Sequence, residues 1–254
     1  MGKMGSSILR GIINNGLYQK EEIAFYAPSL LTQEKYQNLG IALKEDERAL
    51  VSSSDIIILA VKPQKYDEIL AKLKDIPTEG KIFVSLAPGK TIAMLTKRLV
   101  GAAVCRAMPN TPAQIGKATT TLSFNGTSIS SVIDIFSSIG SITIIEESKI
   151  EEAIPLQGSL PAYLFLFAKA FIEKGKEHGL SEAEAKELLF NSIIGSAHLA
   201  LASNEDIDTL IDQVCSKGGS TIEGLYKLKD GHFEDAVKDC YEACLKRGKE
   251  LANV

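Results

Sequence analysis

Asp55-Ile-Ile-Ile-Leu-Ala-Val61, followed at once by Lys62-Pro63, is the stretch on which the reading of the fold turns. A continuous β-branched run without polar alternation fits a strand buried on both faces, as in a parallel sheet covered by helices. It is therefore expected to be a central strand. Around it, from Glu22 to Glu147, short apolar runs alternate with amphipathic segments, the pattern of βαβ units. The predicted strands are 23–26, 55–61, 81–87, 103–107, 119–124 and 141–145, and the predicted crossover helices are 6–15, 33–39, 66–73, 91–100 and 130–138.

After Glu147 the β-branched runs stop and longer patterns of period 3.6 take over, which predicts a second, all-helical domain. The apolar stretch 162–172 reads as a buried helix. Ser181 and Glu184 form a capping box, and Ala185, Leu188, Leu189, Ser192, Ile193 and Ser196 follow as one buried stripe. A last helix over 232–251 turns Phe233, Ala236, Val237, Cys240, Tyr241 and Cys244 inward. The fold class expected is thus α/β, a Rossmann-like parallel sheet followed by a helical domain.

The 254 residues exceed the roughly 100–200 usual for one domain, which agrees with two. An apolar fraction of 45% with 24% charged residues suits a core-building chain and argues against a disordered or collagen-like one. A formal charge of −4, with no Lys/Arg run interleaved with aromatics, gives no electrostatic ground for a nucleic-acid partner. Cys105, Cys215, Cys240 and Cys244 show neither a CxxC pair nor histidines at zinc spacing, so no disulfide and no metal is expected. Cys240 and Cys244, four apart on one helical face, read as core. No basic segment leading into an apolar one opens the chain, and 162–172, broken by Lys169, is far short of the ~20 residues of a membrane span. A cytoplasmic location away from the membrane is expected.

Four motifs carry chemistry. Met1-Gly-Lys-Met-Gly5 runs straight into a helical segment. In a G-x-G-x-x-G/A fingerprint the second glycine admits the pyrophosphate to the backbone and the third lets helix and strand pack closely. Gly2 and Gly5 take those places, with Lys3 and Met4 between them; the first glycine and its strand are absent, and a surface terminus with two chance glycines remains open. Ala60, Val61, Lys62 and Pro63 lie where the strongest strand ends, and open α/β sheets bind ligands outside the carboxyl ends of their strands. They are expected to meet the cofactor's ribose or phosphates, the other reading being a merely solvated Lys62. Arg106-Ala-Met-Pro-Asn-Thr-Pro112 is a proline-stiffened loop at another strand end, expected to position either the cofactor, through Asn110, or the substrate, with a purely structural turn equally open. In Cys215-Ser-Lys-Gly-Gly-Ser-Thr-Ile-Glu223 adjacent glycines precede a helix start at Ser220 or Thr221, an anion cradle suited to a small carboxylate or else an ordinary capped turn.

Taken in order, these motifs resemble the pyrroline-5-carboxylate reductase family over nearly the whole chain. The family's G-x-G-x-M-G is similar to residues 1–5 with its first glycine lost, A-V-K-P to Ala60 through Pro63, and R-x-M-P-N-T-P to Arg106 through Pro112. G-S-G-P-A-Y is similar to Gly158-Ser-Leu-Pro-Ala-Tyr163, and S-P-G-G-T-T to Ser216-Lys-Gly-Gly-Ser-Thr221. The resemblance implies a dinucleotide-binding domain over 1–147 and a helical substrate and dimerisation domain over 148–254, forming a homodimer often built into larger rings. It implies hydride transfer from NAD(P)H to the ring C=N of 1-pyrroline-5-carboxylate, giving L-proline in the last step of its biosynthesis. Thr221 matches the family's donor near the ring nitrogen, and Ser216, Gly218, Gly219, Ser220 and Thr221 the substrate-binding turn. A cyclic imine needs orientation and one such donor rather than a nucleophile, and three histidines offer no Ser/His/Asp set. Phe25-Tyr-Ala-Pro-Ser29 lacks the acid that would hold a ribose 2′-hydroxyl, which leans towards NADPH over NADH, with Ser29 near the 2′-phosphate.

Three residues depart from the family pattern: Leu160 for a glycine, Lys217 for a proline, and Glu47 for an asparagine beside the cofactor. A bulky side chain at a close approach, a loosened turn and a carboxylate near phosphates would each weaken binding. A first strand lost from the centre of the sheet removes a ladder partner on both sides, so residues upstream of Met1 are expected in the natural product, or else this form is compromised. Two other readings stay open: a β-hydroxyacid dehydrogenase, which leaves Gly218-Gly219 without a role, and a non-catalytic dimeric homologue that keeps only the fold.

Overall fold

The computed structural model describes residues 2–127 and 129–252. Met1, the first letter of the fingerprint stretch, lies outside the described residues. The chain runs through α1 (Lys3–Asn14), β1 (Ala24–Phe25), α2 (Leu30–Gln37), β2 (Ala42–Leu43), α3 (Glu47–Ser52), β3 (Ile56–Leu59), α4 (Tyr66–Lys72), β4 (Ile82–Ser85) and α5 (Ile92–Thr96). It continues through β5 (Ala103–Pro109), β6 (Ala118–Phe124), α6 (Ser130–Ser137), β7 (Gly140–Ile144), α7 (Ile150–Ala153) and a π-helical turn at Ile154–Gly158. The remaining helices are α8 (Leu160–Glu177), α9 (Glu182–Ala202), α10 (Ile207–Val214), α11 (Ser220–Asp230) and α12 (Phe233–Ala252). Two compact units result, one of Met1–Pro161 with Cys244–Val254 and one of Ala162–Ala243.

Each predicted strand is present, and β2 adds one that two residues are too few to betray. The first unit is Rossmann-like, with β1 and β2 paired in parallel as a separate ribbon and β3-β4-β5-β6-β7 as a five-stranded sheet. The run 55–61 is therefore a border strand of that sheet and not a central one, because β1 ladders with β2 and not with β3. Its alternate residues nonetheless face two layers. Ile57 and Leu59 pack with Phe83, Val104, Leu70 and Leu95 under α4 and α5, whereas Ile56 and Ile58 lie against the cluster of Ile8, Ile12, Val84 and Leu122. The pair β5–β6 is antiparallel, a departure from an all-parallel sheet. Residues 110–117 between them are too few for the crossover of about a dozen that a parallel return requires.

Close approach of a helix to the sheet layer falls at Gly11 of α1, where a Cβ would sit 2.2 Å from Ile139 Cγ2 and 2.8 Å from Ser138 Oγ. A β-branched neighbour cannot swing away, so only hydrogen fits.

In the second unit the helices form where periodicity placed them, and α9 starts on the expected box, Ser181 accepting from the Glu184 N–H and Glu184 from that of Ser181. Burial is the correction. Phe165, Leu166 and Phe171 of α8 and Leu188 of α9 are exposed, leaving Ala168 and Ala185 as the buried residues of those helices. Phe233 and Val237 of α12 are exposed, and Cys240 and Cys244 are half-buried free thiols, Cys244 sharing a 3.3 Å hydrogen bond with Ser159. Amphipathic stripes are set by sequence, but a single chain does not supply enough surface to cover them. Among the described residues no helix is long and apolar enough to cross a membrane.

Two outcomes follow from the core of the first unit. Gly11→Ala should lower stability by about 1–3 kcal/mol through overpacking, read as a shift of the urea midpoint at constant slope; an unchanged midpoint contradicts the contact. Burial also pushes the Cys105 thiol up from 9.0 to about 12 and the Tyr66 phenol up from 10.0 to about 12. Both groups are protonated in folded and unfolded chains below about pH 9, and above it the unfolded chain loses protons that the folded one retains. Stability should therefore be flat to about pH 9 and fall from there to about 12. Cys105→Ala should delay the onset to about pH 10, which urea unfolding across that range measures.

Candidate functional site

At the carboxyl edge of the sheet β3 stops at Leu59, the Ala60 N–H turning back to the Ile58 carbonyl at 3.0 Å. Pro63 opens a 3₁₀ turn, Pro63–Lys65, that leads into α4, its missing N–H costing nothing at a helical start. Val61 and Lys62 are left exposed, with Ala60 and Pro63 half-buried beside them. Gly2, extended and exposed, is the N-cap of α1; no side chain caps this helix, and Lys3 is exposed while Met4 leans on the core. Ser6 hydrogen-bonds the Gly2 carbonyl and the Tyr36 hydroxyl, and so ties the start of α1 to α2. Ser29, the N-cap of α2, is exposed and its hydroxyl makes no cap. Uncapped N–H groups at a twelve-residue helix start, with open space at the Gly2 Cβ position, match a phosphate's need for donors and room.

Glu47 is less awkward here than the sequence implies. It lies in the first turn of α3, 3.0 Å from Lys72 Nζ, and this hydrogen bond is the foremost cause that raises the lysine's pKa. Its charge is thus met by a cation of α4.

Behind the edge lies a line of buried polar groups that the motifs only partly signalled. The ladder sets Leu59, Ser85 and Arg106 in register across β3, β4 and β5. The Tyr66 hydroxyl donates to the Leu59 carbonyl at 2.9 Å and shares a 2.9 Å hydrogen bond with Ser85. Arg106, with 1% of its side chain exposed, forms ion pairs with Glu147 at 3.1 Å and Glu151 at 3.0 Å. Glu147 also accepts the Ile92 N–H at the start of α5. A lone arginine amid Ala103-Val-Cys-Arg-Ala-Met108 was the available signal, since a buried cation demands partners; which carboxylates answer it depends on the chain's return from β7.

Asn110 is buried, and both ends of its amide are engaged. Its Oδ1 accepts the Thr119 N–H and its Nδ2 donates to the Gln157 carbonyl, each at 2.9 Å. The loop after β5 is thereby tied to β6 and to the π-helical turn, with its backbone at the sheet edge.

In the second unit Ser216, Lys217 and Gly218 of the turn before α11 and Ser220 and Thr221 at the start of that helix are exposed, and Gly219 is half-buried. Gly218 has φ +74, a left-handed value that favours glycine, and the Gly219 N–H closes the turn on the Ser216 carbonyl at 3.0 Å. Gly219 is the N-cap of α11 and no side chain caps that helix, unlike α9 and α10, where Ser181 and Asp206 do so. An uncapped start on an exposed glycine turn can receive a carboxylate. Leu160 is half exposed at the start of α8.

Residues 147–251 match the family model described as pyrroline-5-carboxylate reductase dimerisation, and residues 1–89 match that of NADP oxidoreductase, coenzyme F420-dependent. A pyrroline-5-carboxylate reductase of Escherichia coli is 31% identical over 99% of this chain and 96% of its own length. A structure of a pyrroline-5-carboxylate reductase from Coxiella burnetii superposes with a TM-score of 0.87 at 31% identity, covering 98% of this chain and 95% of its own. A crystal structure of the Plasmodium falciparum pyrroline carboxylate reductase with NADP bound gives 0.87 at 30% identity, covering 99% and 95%.

Proposed function

The chain belongs to the pyrroline-5-carboxylate reductase family, and from that premise we propose which of its residues carry the reaction. The protein is an NAD(P)H-dependent oxidoreductase that reduces 1-pyrroline-5-carboxylate to L-proline in proline biosynthesis, with NADP(H) as cofactor. It is a homo-oligomer.

The glycine turn at the start of α11 carries the assignment of substrate residues. N–H groups around Gly218, Gly219 and Ser220, with the Ser216 hydroxyl, hold the substrate carboxylate, since a helix start without a side-chain cap offers donors and a favourable dipole to an anion. Thr221, in the first turn and exposed, directs its hydroxyl to the ring nitrogen. As hydride arrives at the imine carbon, the C=N π pair moves to nitrogen, which takes a proton; a hydroxyl placed there stabilises that change and leaves no covalent intermediate to form. Bound NADPH supplies the hydride. Gly2, Lys3 and Met4 at the start of α1 would hold its pyrophosphate and Ser29 its 2′-phosphate, with Ala60, Val61, Lys62, Pro63 and the backbone at Asn110 along the sheet edge.

The division of labour falls at residue 147, with the cofactor bound by 1–147 and substrate binding and dimerisation by 148–254; the match of the dimerisation model to 147–251 supports this. The exposed apolar side chains of α8, α9 and α12 support a homodimer formed through that helical part. A cytoplasmic site of action suits four unpaired thiols, which a reducing compartment preserves.

Thr221→Val should reduce kcat by about 10²-fold, the scale for loss of one donor to developing charge, with NADPH affinity by fluorescence unchanged. Thr221→Ser should restore most of the rate. A valine variant with the wild-type kcat removes Thr221 from the mechanism.

A further inference from the structure

Residues 86–91 join β4 to α5 at the carboxyl edge of the sheet, between the strand ends that carry Ala60 through Pro63 and Asn110. Both ends of this loop are held by polar groups, buried at its start and half-buried at its end. At its start Tyr66 bonds Ser85 and the Leu59 carbonyl, and the same carbonyl receives the Leu86 N–H at 3.4 Å. At its end the Ile92 N–H donates to Glu147 at 2.7 Å, and Glu147 is itself held by Arg106 at 3.1 Å. Between these ends Ala87 and Gly89 are buried and Pro88 is exposed.

We infer that Arg106 and Glu147 are positioning residues for hydride transfer, setting the 86–91 loop against the nicotinamide end of the cofactor. A buried ion pair adds little stability over well-packed apolar residues of the same volume; what it adds is direction, because a guanidinium fork has fixed donor angles. Here the fork's second arm is occupied by Glu151 at 3.0 Å, so its first arm has one orientation to offer Glu147. Glu147 in turn transmits that orientation to the first N–H of α5. The chain of contacts thus runs from Arg106 of β5 through Glu147 to the loop at the carboxyl edge of the sheet. Misplacement by about 1 Å at a reacting centre can cost on the order of 10²-fold in rate, so a device that sets a loop by fractions of an ångström is worth a buried charge. The inference rests on the cofactor placement proposed above.

The test uses the full chain as wild type, Glu147→Ala and Glu147→Gln. Glu147→Ala leaves Arg106 paired with Glu151, so the charge is not stranded and the fold should survive. Hydrogen exchange of the 86–92 peptide is measured with and without NADPH, alongside NADPH affinity by fluorescence, kcat, and the isotope effect with NADPH deuterated at the transferred position. In the wild type NADPH should slow exchange of 86–92. In Glu147→Ala without cofactor that peptide should exchange at least about fivefold faster, NADPH affinity should change less than about threefold, and kcat should fall about tenfold with a larger isotope effect. Glu147→Gln, which keeps an acceptor for the Ile92 N–H, should recover most of both. Absence of NADPH protection at 86–92 in the wild type overturns the cofactor placement and the inference with it. Protection in the wild type with an unchanged kcat in Glu147→Ala, or a lost kcat without faster exchange, overturns the inference alone.

Discussion

Parallel register between β3, β4 and β5 is the constraint on which the first unit of this molecule depends. It brings Leu59, Ser85 and Arg106 level at the carboxyl edge, and from that alignment follow the bridge made by Tyr66 and the reach of Arg106 to the carboxylates before and within α7. A slip of one residue would turn Arg106 to the opposite face, among the apolar side chains of Ile8, Ile12 and Leu122. The apolar faces therefore do more than exclude water. They make the register unique, and the register makes a buried arginine tolerable.

Helix starts in this chain are of two kinds. The side chains of Ser181 and Asp206 cap the starts of α9 and α10, each accepting from an N–H of the first turn. The starts of α1 and α11 follow glycines and carry no side-chain cap. An anion at such a start replaces the missing cap and gains from the helix dipole, without a metal or a cluster of cations. This economy fits a chain with a net charge of −4 that handles phosphates and a carboxylate.

The helices of the second unit show the cost of folding around few contacts. Leu166 is 71% and Leu201 86% exposed, and apolar side chains of that size each forfeit about 1.5–3 kcal/mol of burial while they face water. The arrangement makes sense for a homo-oligomer, in which the missing surface comes from another copy.

Much of this was legible in the residues themselves. Alternating apolar runs define the strands and their helices, the Ser181 box marks the start of α9, and two glycines before Ser220 mark an open helix start, because each of these is a local property of backbone conformation and of side chains a few positions apart. The placement of β3 at a sheet border and the ion pairs of Glu47 and Arg106 were not legible, since each joins residues tens of positions apart and depends on which strand ends meet, whereas the antiparallel return of β6 follows from the short connection 110–117. Asn110 shows the division most sharply: its motif announces a stiff loop at a ligand edge, but only the tertiary structure commits its amide to Thr119 and Gln157. The sequence by itself determined the elements and the family. Tertiary structure decided which polar groups are buried together and which apolar faces stay bare, because burial is a property of what packs around a residue and not of its neighbours in the chain.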